Sequence, residues 1–325
     1  MSETQNRLKV DERDDGRRID NYLLRVIKGL PRAHLYKLLR SGQIRVNGSR
    51  AKPERRLTVG DEIRVPPALV QPPSGQTAAG PPIGERTKAQ IERAILFENA
   101  HMLVVNKPSG MAVHAGSGLS WGLIDVLRTL YPAPETVELV HRLDRETSGL
   151  IVIARDNATL TALGHAFRTH QVSKSYLALV KGSWQGGRRL LSNRLLARED
   201  NAGRKVSAHA EGKDAEAWFT PRQRFANATL MATLMEVTLL TGRTHQIRVQ
   251  AEHAGHPLAG DGRYGDEAFN RQLRALGLNR LFLHSAKLGL MLEGKKYSFE
   301  APLPPMLAEL LSALDDRNPT RARGG

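Results

Sequence analysis

Apolar positions in the first 65 residues predict two short helices followed by a small sheet. One group of apolar residues recurs at helical spacing: Ile19, Tyr22, Leu23, Val26 and Ile27. After Pro31, which interrupts that pattern, a second stripe predicts another helix: Leu35, Leu38 and Leu39. Asn47-Gly48 lies between QIRV and SRAK and predicts a hairpin turn, and residues 57–65 predict a further short strand pair. The pattern therefore indicates a small αα-β module.

Residues 66–84 interrupt the globular pattern. This stretch holds six Pro and three Gly and carries no charged residue. Such a composition does not form a packed core and is typical of a semi-extended linker. The predicted division is a module at residues 1–66, a Pro/Gly-rich linker at 67–89 and a larger domain at 90–325.

Short apolar runs dominate the larger domain. They predict strands at 95–97, 102–105, 150–154, 176–180, 217–220 and 230–239, and helices at 123–130, 160–170 and 245–253. This order predicts an α+β fold on a mixed or antiparallel sheet. No apolar run approaches 18 residues, which predicts that no segment spans a membrane, and the polar first 18 residues do not resemble a secretory signal.

Charge is concentrated in the N-terminal module. The 325 residues include 48 Lys and Arg against 33 Asp and Glu, a formal net charge of +15. Residues 17–56 hold twelve of these cations and two acids, so this segment carries a net charge of +10. Such a concentration predicts a polyanionic partner, and nucleic acid is the commonest one. The chain has no Cys, which excludes a disulfide framework, a Cys nucleophile and thiolate metal sites, and fits a cytoplasmic protein.

Two motifs give weak signals. GDGRYG at residues 260–265 has the glycine spacing of a dinucleotide-binding loop, but no strand pattern precedes it and no helix pattern follows, so turn glycines are the favoured interpretation. The histidine pairs His165/His170 and His253/His256 lack a third ligand at a recognised spacing. No metal site is therefore predicted.

A polar loop at residues 140–149 is a stronger candidate site. It lies between two apolar runs in LVHRLDRETSGLIVIA, at what the pattern predicts to be the end of a sheet. Asp144 stands between Arg142 and Arg145, which predicts an ionised, ordered carboxylate. Such a group suits a nucleophile or a general base that works without a metal. The alternative is a solvated loop with local ion pairs, and the spacing leaves both open.

Two further segments admit more than one interpretation. In TGRTHQIRV, Thr244 is predicted to cap a helix, and Arg243 at its start either clamps an anion or is an ordinary solvated side chain. Tyr176 opens the strand pattern YLALVKG, where a core position is favoured over a platform for base stacking.

Three blocks in this order, HRLDRETSGL (141–150), KSYLALV (174–180) and TGRTHQIRV (241–249), resemble the signature blocks of the RluA/RluC-type pseudouridine synthases. NKPSGMAVH (106–114), RLFLHSAKL (280–288) and EAPLP (300–304) extend the resemblance over residues 95–315. GRRIDNYLL (16–24) and QIRVNG (43–48) resemble the S4-type RNA-binding domain, also called the alpha-L motif. The resemblance implies a pseudouridine synthase domain, preceded by an RNA-binding module, that isomerises uridines in large-subunit (23S) ribosomal RNA.

The resemblance also assigns roles to individual residues. It implies that Asp144 is the catalytic aspartate, which attacks the target uridine or takes a proton from its ribose before C5 replaces N1 on the sugar. Tyr176 would stack on the flipped uracil, Arg243 would pair with Asp144, and Arg142 would fill the space left in the RNA stack. Further RNA-binding residues implied are Lys107, Lys174, Arg18, Arg32, Lys37, Arg40 and Arg45. An isomerisation of this kind requires neither a cofactor nor a metal.

The expected partner is 23S ribosomal RNA, free or in the assembling large subunit, bound by a monomer in the cytoplasm with no membrane contact. A different class of function is a non-catalytic rRNA-binding or ribosome-assembly factor on the same fold. A third is an N-glycosidase that also uses a carboxylate. The presence of Asp144, Tyr176 and Arg243 together favours the isomerase.

Overall fold

The structure is a computed structural model that describes residues 6–27, 30, 32–69, 83–115, 120–132, 137–200, 203–226 and 230–316. The chain divides into two compact units, Met1–Pro81 and Pro82–Gly325. No helix among the described residues is long and apolar enough to cross a membrane.

The first unit packs two helices, α1 (Ile19–Val26) and α2 (Arg32–Ser41), with a four-stranded sheet in the order β1-β4-β2-β3. The strands are β1 (Arg7–Lys9), β2 (Arg45–Val46), β3 (Ser49–Arg50) and β4 (Glu62–Arg64). Asn47 and Gly48 both have positive φ, of 49° and 77°, as a two-residue hairpin turn requires, and the predicted hairpin is confirmed. The predicted strand pair within residues 57–65 is wrong. Only β4 forms there, and it pairs with β1 and β2.

The predicted linker at residues 67–89 needs a correction at its C-terminal end. Residues 70–82 of it lie outside the described residues. Helix α3 (Glu85–Arg93) begins inside the predicted range, and Ile83 packs against the core of the second unit. Because α3 buries Ile91 completely, it is an amphipathic helix of that unit rather than part of a linker.

The second unit is built on an eleven-stranded sheet whose main path runs β11-β10-β12-β13-β9-β14-β8-β6-β5, with β15 paired to β14 and β7 to β8. Only β8 and β14 pair in parallel among the described strands; the other pairs are antiparallel. The strands are β5 (Ile95–Glu98), β6 (Met102–Lys107), β7 (Glu138–Leu139), β8 (Ser148–Ala154), β9 (Ser173–Lys181), β10 (Arg189–Asp200), β11 (Gly203–Ala208), β12 (Lys213–Ala226), β13 (Met231–Leu239), β14 (Leu283–Leu292) and β15 (Lys295–Glu300).

Helices pack beside this sheet, and their apolar residues complete the core. They are α4 (Leu123–Leu130), α5 (Asn157–Arg168), α6 (Gln246–His253), α7 (Glu267–Arg274) and α8 (Pro305–Asp316). Strand β8 is buried at all seven positions, which places the loop before it at the edge of a rigid support. The α+β prediction is confirmed, with α4 at its predicted bounds. Sequence reasoning missed β10, β11, β14, β15, α3, α7 and α8.

Candidate active site

The loop at residues 140–147 leads directly into β8, next to the parallel junction of the sheet. There Ser148 and Gly149 pair with His284 and Ser285 of β14. Gly149 has a φ of +108°, and a Cβ at this position would lie 2.7 Å from the Ser285 backbone nitrogen. Because only glycine tolerates both conditions, this residue fixes where the loop leaves the sheet.

Lys107 and Arg280 hold the loop and the start of β8 by hydrogen bonds. The buried Nζ of Lys107 donates to the carbonyls of Pro108, Met111 and Arg145, at 3.0, 2.8 and 3.1 Å. Burial lowers the pKa of Lys107 to about 7. The expectation that Lys107 binds RNA is therefore corrected, because its ammonium is 0% exposed and its three donors are used within the protein. Arg280 adds a bond from its guanidinium to the Ser148 hydroxyl, at 2.8 Å.

Asp144 of this loop lines a cleft of about 490 Å³ and is 20% exposed. Its other lining residues are Val140, His141, Arg142, Leu143, Thr147, Gly164, Phe167, Arg168, His170, Lys174, Tyr176, Leu239, Gly242, Arg243, Thr244, His245, Gln246, Ile247, Arg248 and Leu283. Asp144 is the one carboxylate among them. The loop, strand β9 and the start of α6 are thus brought together as predicted.

The cation nearest to the Asp144 carboxylate is Arg248, not Arg243. The Nη1 atom of Arg248 lies 3.7 Å from Asp144 Oδ2, and the same guanidinium forms two hydrogen bonds with Asp261, at 2.7 and 2.8 Å. Arg243 is exposed, and its Nε donates to the Asp214 carbonyl at 3.0 Å. The expected pair of Arg243 with Asp144 is therefore wrong. Arg243 precedes α6, whereas Arg248 lies within it and is buried.

His245 is the second neighbour of Asp144, with 3.8 Å between Nε2 and Oδ2. It occupies the N-cap position of α6 with a left-handed φ of 56° and makes no side-chain capping hydrogen bond, whereas Thr244 was expected to cap the helix. The Tyr264 hydroxyl accepts from the Val206 N–H at 3.0 Å and lies 2.8 Å from His245 Nδ1. The contact between the Tyr264 hydroxyl and Nδ1 orients the ring so that Nε2 faces Asp144. Burial lowers the pKa of His245 below its usual value, which favours the neutral form of the ring.

Sequence reasoning missed Asp261 and Tyr264, which both come from the glycine-rich GDGRYG segment. Gly260 and Gly265 lie so close to backbone atoms of Arg280 and Asp261 that no side chain fits there. The interpretation of turn glycines is therefore confirmed. The signal that was overlooked is the pair of polar residues between these glycines, which the tight turn directs towards α6.

Tyr176 lies in β9 and is 6% exposed. Burial raises the pKa of its phenol to about 12. A hydrogen bond with Ser285 lowers this pKa and the Asp144 charge raises it, and both effects are smaller than that of burial. The side chain is therefore a neutral phenol that lines the cleft. It is a core residue, as the sequence pattern favoured, and it also lines the cleft.

Residues 101–253 match the family model described as RNA pseudouridylate synthase, and residues 17–63 match that of the S4 domain. The chain is 44% identical over 315 residues to the ribosomal large subunit pseudouridine synthase C of Pasteurella multocida, covering 95% of this chain and 94% of that protein. It is 44% identical over 304 residues to the protein of that name from Escherichia coli K12, covering 92% and 93%. This chain belongs to the RNA pseudouridylate synthase family.

Two solved structures agree with this membership. Human RNA pseudouridylate synthase domain containing 4 aligns with a TM-score of 0.57 and 26% identity, covering 70% of this chain and 95% of that one. Human RNA pseudouridylate synthase domain containing 1 gives a TM-score of 0.56 and 25% identity, covering 68% and 94%. The chain is thus an RNA pseudouridine synthase with an N-terminal S4 domain.

The cations expected to bind RNA differ in how they are placed within the S4 domain. Lys37, Arg40 and Arg45 are exposed, and the guanidinium groups of Arg40 and Arg45 reach only backbone carbonyls. Arg18 instead donates two hydrogen bonds to the buried Asp20, at 3.1 and 2.8 Å, which offsets its charge. Arg32 is the first residue of α2, and its side chain lies outside the described part of the structure.

The two remaining candidates lie in the synthase domain. Arg142 is exposed and lines the cleft next to Asp144. Lys174 also lines the cleft but is only 8% exposed.

Proposed function

We propose that this pseudouridine synthase isomerises uridines in large-subunit (23S) ribosomal RNA, with Asp144 as its catalytic carboxylate. The observation that carries the proposal is the cleft itself, in which one carboxylate faces a buried guanidinium and the His245 imidazole. The choice of RNA is supported by the relatives named ribosomal large subunit pseudouridine synthase C and by the S4 domain.

The reaction exchanges one bond to the ribose for another. The N1–C1′ bond of uridine breaks, the uracil turns within the cleft, and a C5–C1′ bond forms. C5 then loses its proton and N1 gains one, so that substrate and product are isomers. Asp144 starts this sequence. As a nucleophile on the uridine it forms an adduct that breaks again before the product leaves, and as a base it takes a proton from the ribose and returns it, so the carboxylate is regenerated in either case.

Arg248 and His245 keep Asp144 ready for that role. The Arg248 guanidinium lies 3.7 Å from the carboxylate and attracts it, and two hydrogen bonds to Asp261 hold that guanidinium in place. The Nε2 atom of His245 lies 3.8 Å from the same carboxylate oxygen, and burial lowers the pKa of this ring. Since groups that are already oriented need no reorganisation during the reaction, this arrangement holds the carboxylate in place for the first step.

Tyr176 supplies the surface on which the uracil stacks and turns. With a pKa raised to about 12, its phenol stays protonated near neutral pH and binds the base through its ring and its O–H. Extruding a base from an RNA stack costs a few kcal/mol, and stacking on an aromatic ring returns about 1–3 kcal/mol. Arg142 at the rim of the cleft fills the space that the base leaves.

The exposed cations of the S4 domain supply phosphate contacts that carry no sequence information by themselves. Lys37, Arg40 and Arg45 are the residues proposed for this role, together with Arg32 and the paired Arg18. The protein is proposed to act as a monomer in the cytoplasm.

The test begins with pseudouridine mapping of 23S ribosomal RNA from cells with and without this protein. RNA from the deficient cells is then treated with purified protein. The wild type restores the missing pseudouridines, and Asp144→Asn restores none. Glu146→Gln is the matched control, because it makes the same change at an exposed carboxylate of the same loop and leaves activity within about threefold.

Each alternative predicts a different outcome of this assay. Tight binding of the RNA by the wild type with every uridine unchanged favours a non-catalytic assembly factor. Release of free uracil favours an N-glycosidase. Full pseudouridine formation by Asp144→Asn contradicts the proposed role of the carboxylate.

A further inference from the structure

Part of the cleft wall has no role in the reaction described above. It is formed by the C-terminal turn of α5 and the start of β9, where Phe167, Arg168, His170 and Lys174 line the cleft. His141 stacks on Phe167, with 4.3 Å between ring centroids, and so fixes the floor beside Lys174.

Lys174 is a buried cation for which the described residues provide no hydrogen-bond acceptor. Its Nζ lies 5.9 Å from the centre of the Phe167 ring and next to Gly242, where a Cβ would be 3.4 Å away. Burial lowers the pKa of Lys174, and no neighbouring carboxylate opposes the effect. The other buried cations of the site differ, since Lys107 has three carbonyls and Arg248 has Asp261. Among the described residues the one fully buried side-chain polar atom without a hydrogen-bond partner is Asp14 Oδ1, so the Lys174 Nζ reaches the cleft and is open to a ligand there.

The charge of the cleft indicates which kind of ligand fits. Asp144 is the one acid among the lining residues, and Asp261 compensates Arg248. Arg168 and Lys174 therefore add positive charge that no carboxylate lining the cleft balances. His170 adds a further hydrogen-bonding group. An anion is the complementary ligand, and a lysine ammonium with three donors binds a phosphate oxygen as a point charge.

We propose that Lys174, with Arg168 and His170, forms a phosphate-binding subsite for one phosphodiester of the RNA strand beside the target uridine. The proposal rests on the proposed function and adds a specific contact to it. Lys174 and Tyr176 are two positions apart on β9, so their side chains share one face of the strand at a spacing of about 7 Å. A nucleotide stacked on Tyr176 therefore brings a neighbouring phosphate to Lys174.

The test combines a protein variant with an uncharged linkage in the RNA. The probe is a transcript that contains a mapped target uridine, in which splinted ligation replaces one phosphodiester at a time by a methylphosphonate within three nucleotides of that uridine. At one linkage the KM of the wild type is expected to rise about 10- to 100-fold, as for the loss of a charge-assisted hydrogen bond, while kcat stays within about threefold. Lys174→Met is expected to show this higher KM on the unmodified transcript, and no further rise when that linkage is replaced.

Two further variants complete the experiment. Arg168→Gln changes an exposed helical side chain and tests the subsite if Lys174→Met does not fold. Each of the two variants is expected to lower the slope of log Kd against log salt by about 0.7–0.9. Lys296→Met is the matched control, because Lys296 is exposed on β15 and does not line the cleft, and its slope stays that of the wild type.

The subsite is overturned if methylphosphonates at every position affect both variants as strongly as the wild type. It is also overturned if the loss in Lys174→Met lies in kcat alone, with no change of KM or salt slope. If the wild type forms no pseudouridine in the unmodified transcript, the proposed function itself fails, which is a distinct result.

Discussion

Replacing Arg248 by Met tests which arginine supports the catalytic carboxylate. The substitution removes the guanidinium 3.7 Å from Asp144 and leaves Asp261, whose side chain is 0% exposed, without its bidentate partner. Breaking a buried ion pair from one side costs about 3–5 kcal/mol of stability. At roughly 2–4 °C per kcal/mol for a domain of this size, the melting temperature falls by roughly 6–20 °C.

The effect on activity is separable from this loss of stability. At an effective dielectric constant of about 20, two unit charges at this distance interact by about 4 kcal/mol, which sets an upper limit because Arg248 is shared with Asp261. The expected loss in kcat is therefore roughly 100- to 1000-fold. In the double variant Arg248→Met with Asp261→Asn no buried charge is left unpaired, so most of the melting temperature returns while kcat stays low.

Arg243→Met is the matched control, because it makes the same change three residues before α6 begins. Among the described residues its exposed side chain hydrogen-bonds to the Asp214 carbonyl and not to Asp144, so kcat is expected to stay within about threefold, with any effect confined to KM. The assay is single-turnover pseudouridine formation at saturating enzyme, with melting curves for each variant. A kcat of the double variant near that of the wild type, or a large loss of kcat in Arg243→Met, refutes the reasoning.

Three further predictions concern the support of the loop. Gly149→Ala is expected to destabilise the synthase domain by several kcal/mol, because a Cβ collides with β14 at a φ of +108°; a melting temperature within 2 °C of the wild type, on the order of 1 kcal/mol or less, contradicts it. Lys107→Met leaves three carbonyls without their donor and is expected to lower kcat more than it raises KM, as kinetics on the same transcript will show. Burial lowers the pKa of His284 to about 4, below its unfolded value of about 6.5. The contribution of this residue to stability is therefore full above about pH 6.5, and the free energy of unfolding falls by up to about 1.4 kcal/mol per pH unit towards pH 4. Denaturant unfolding of His284→Asn is expected to show a weaker dependence of this free energy on pH.

Local patterns predicted the elements whose periodicity is complete within a few residues. The strand cores of β6 and β8 are apolar runs, α4 and β13 have apolar residues at the helical and strand periods, and the Asn47-Gly48 turn has its own backbone preference. Helix α7 was missed because its sequence, EAFNRQLR, is mostly polar. Its helical state depends on the Asp266 cap, which accepts from the Phe269 N–H, and on burial of Phe269 and Leu273.

The partner of Asp144 could not be chosen from spacing. Arg243 and Arg248 are five residues apart, so their directions depend on where α6 begins. The helix begins only after His245, whose left-handed backbone turns the chain, and this puts Arg248 towards the loop and Arg243 outside. Asp261 then binds Arg248 and not Arg243. This contact joins residues 13 positions apart through a turn that has no periodic pattern, so the sequence does not predict it.

The role of a cation in this enzyme is predicted better by its burial and its hydrogen-bond acceptors than by the motif that contains it. Lys107, Arg142 and Lys174 all belong to the recognisable blocks, and all three were expected to bind RNA. Lys107 is satisfied by carbonyls and therefore supports the loop, whereas Arg142 is exposed and remains available to RNA. The Lys174 side chain is 8% exposed, and its ammonium reaches the cleft without a hydrogen-bonded acceptor among the described residues, as a contact for bound RNA requires. A cation that folding leaves partly desolvated and unpaired gains an ion pair only when its ligand binds, so its charge contributes to affinity rather than to stability.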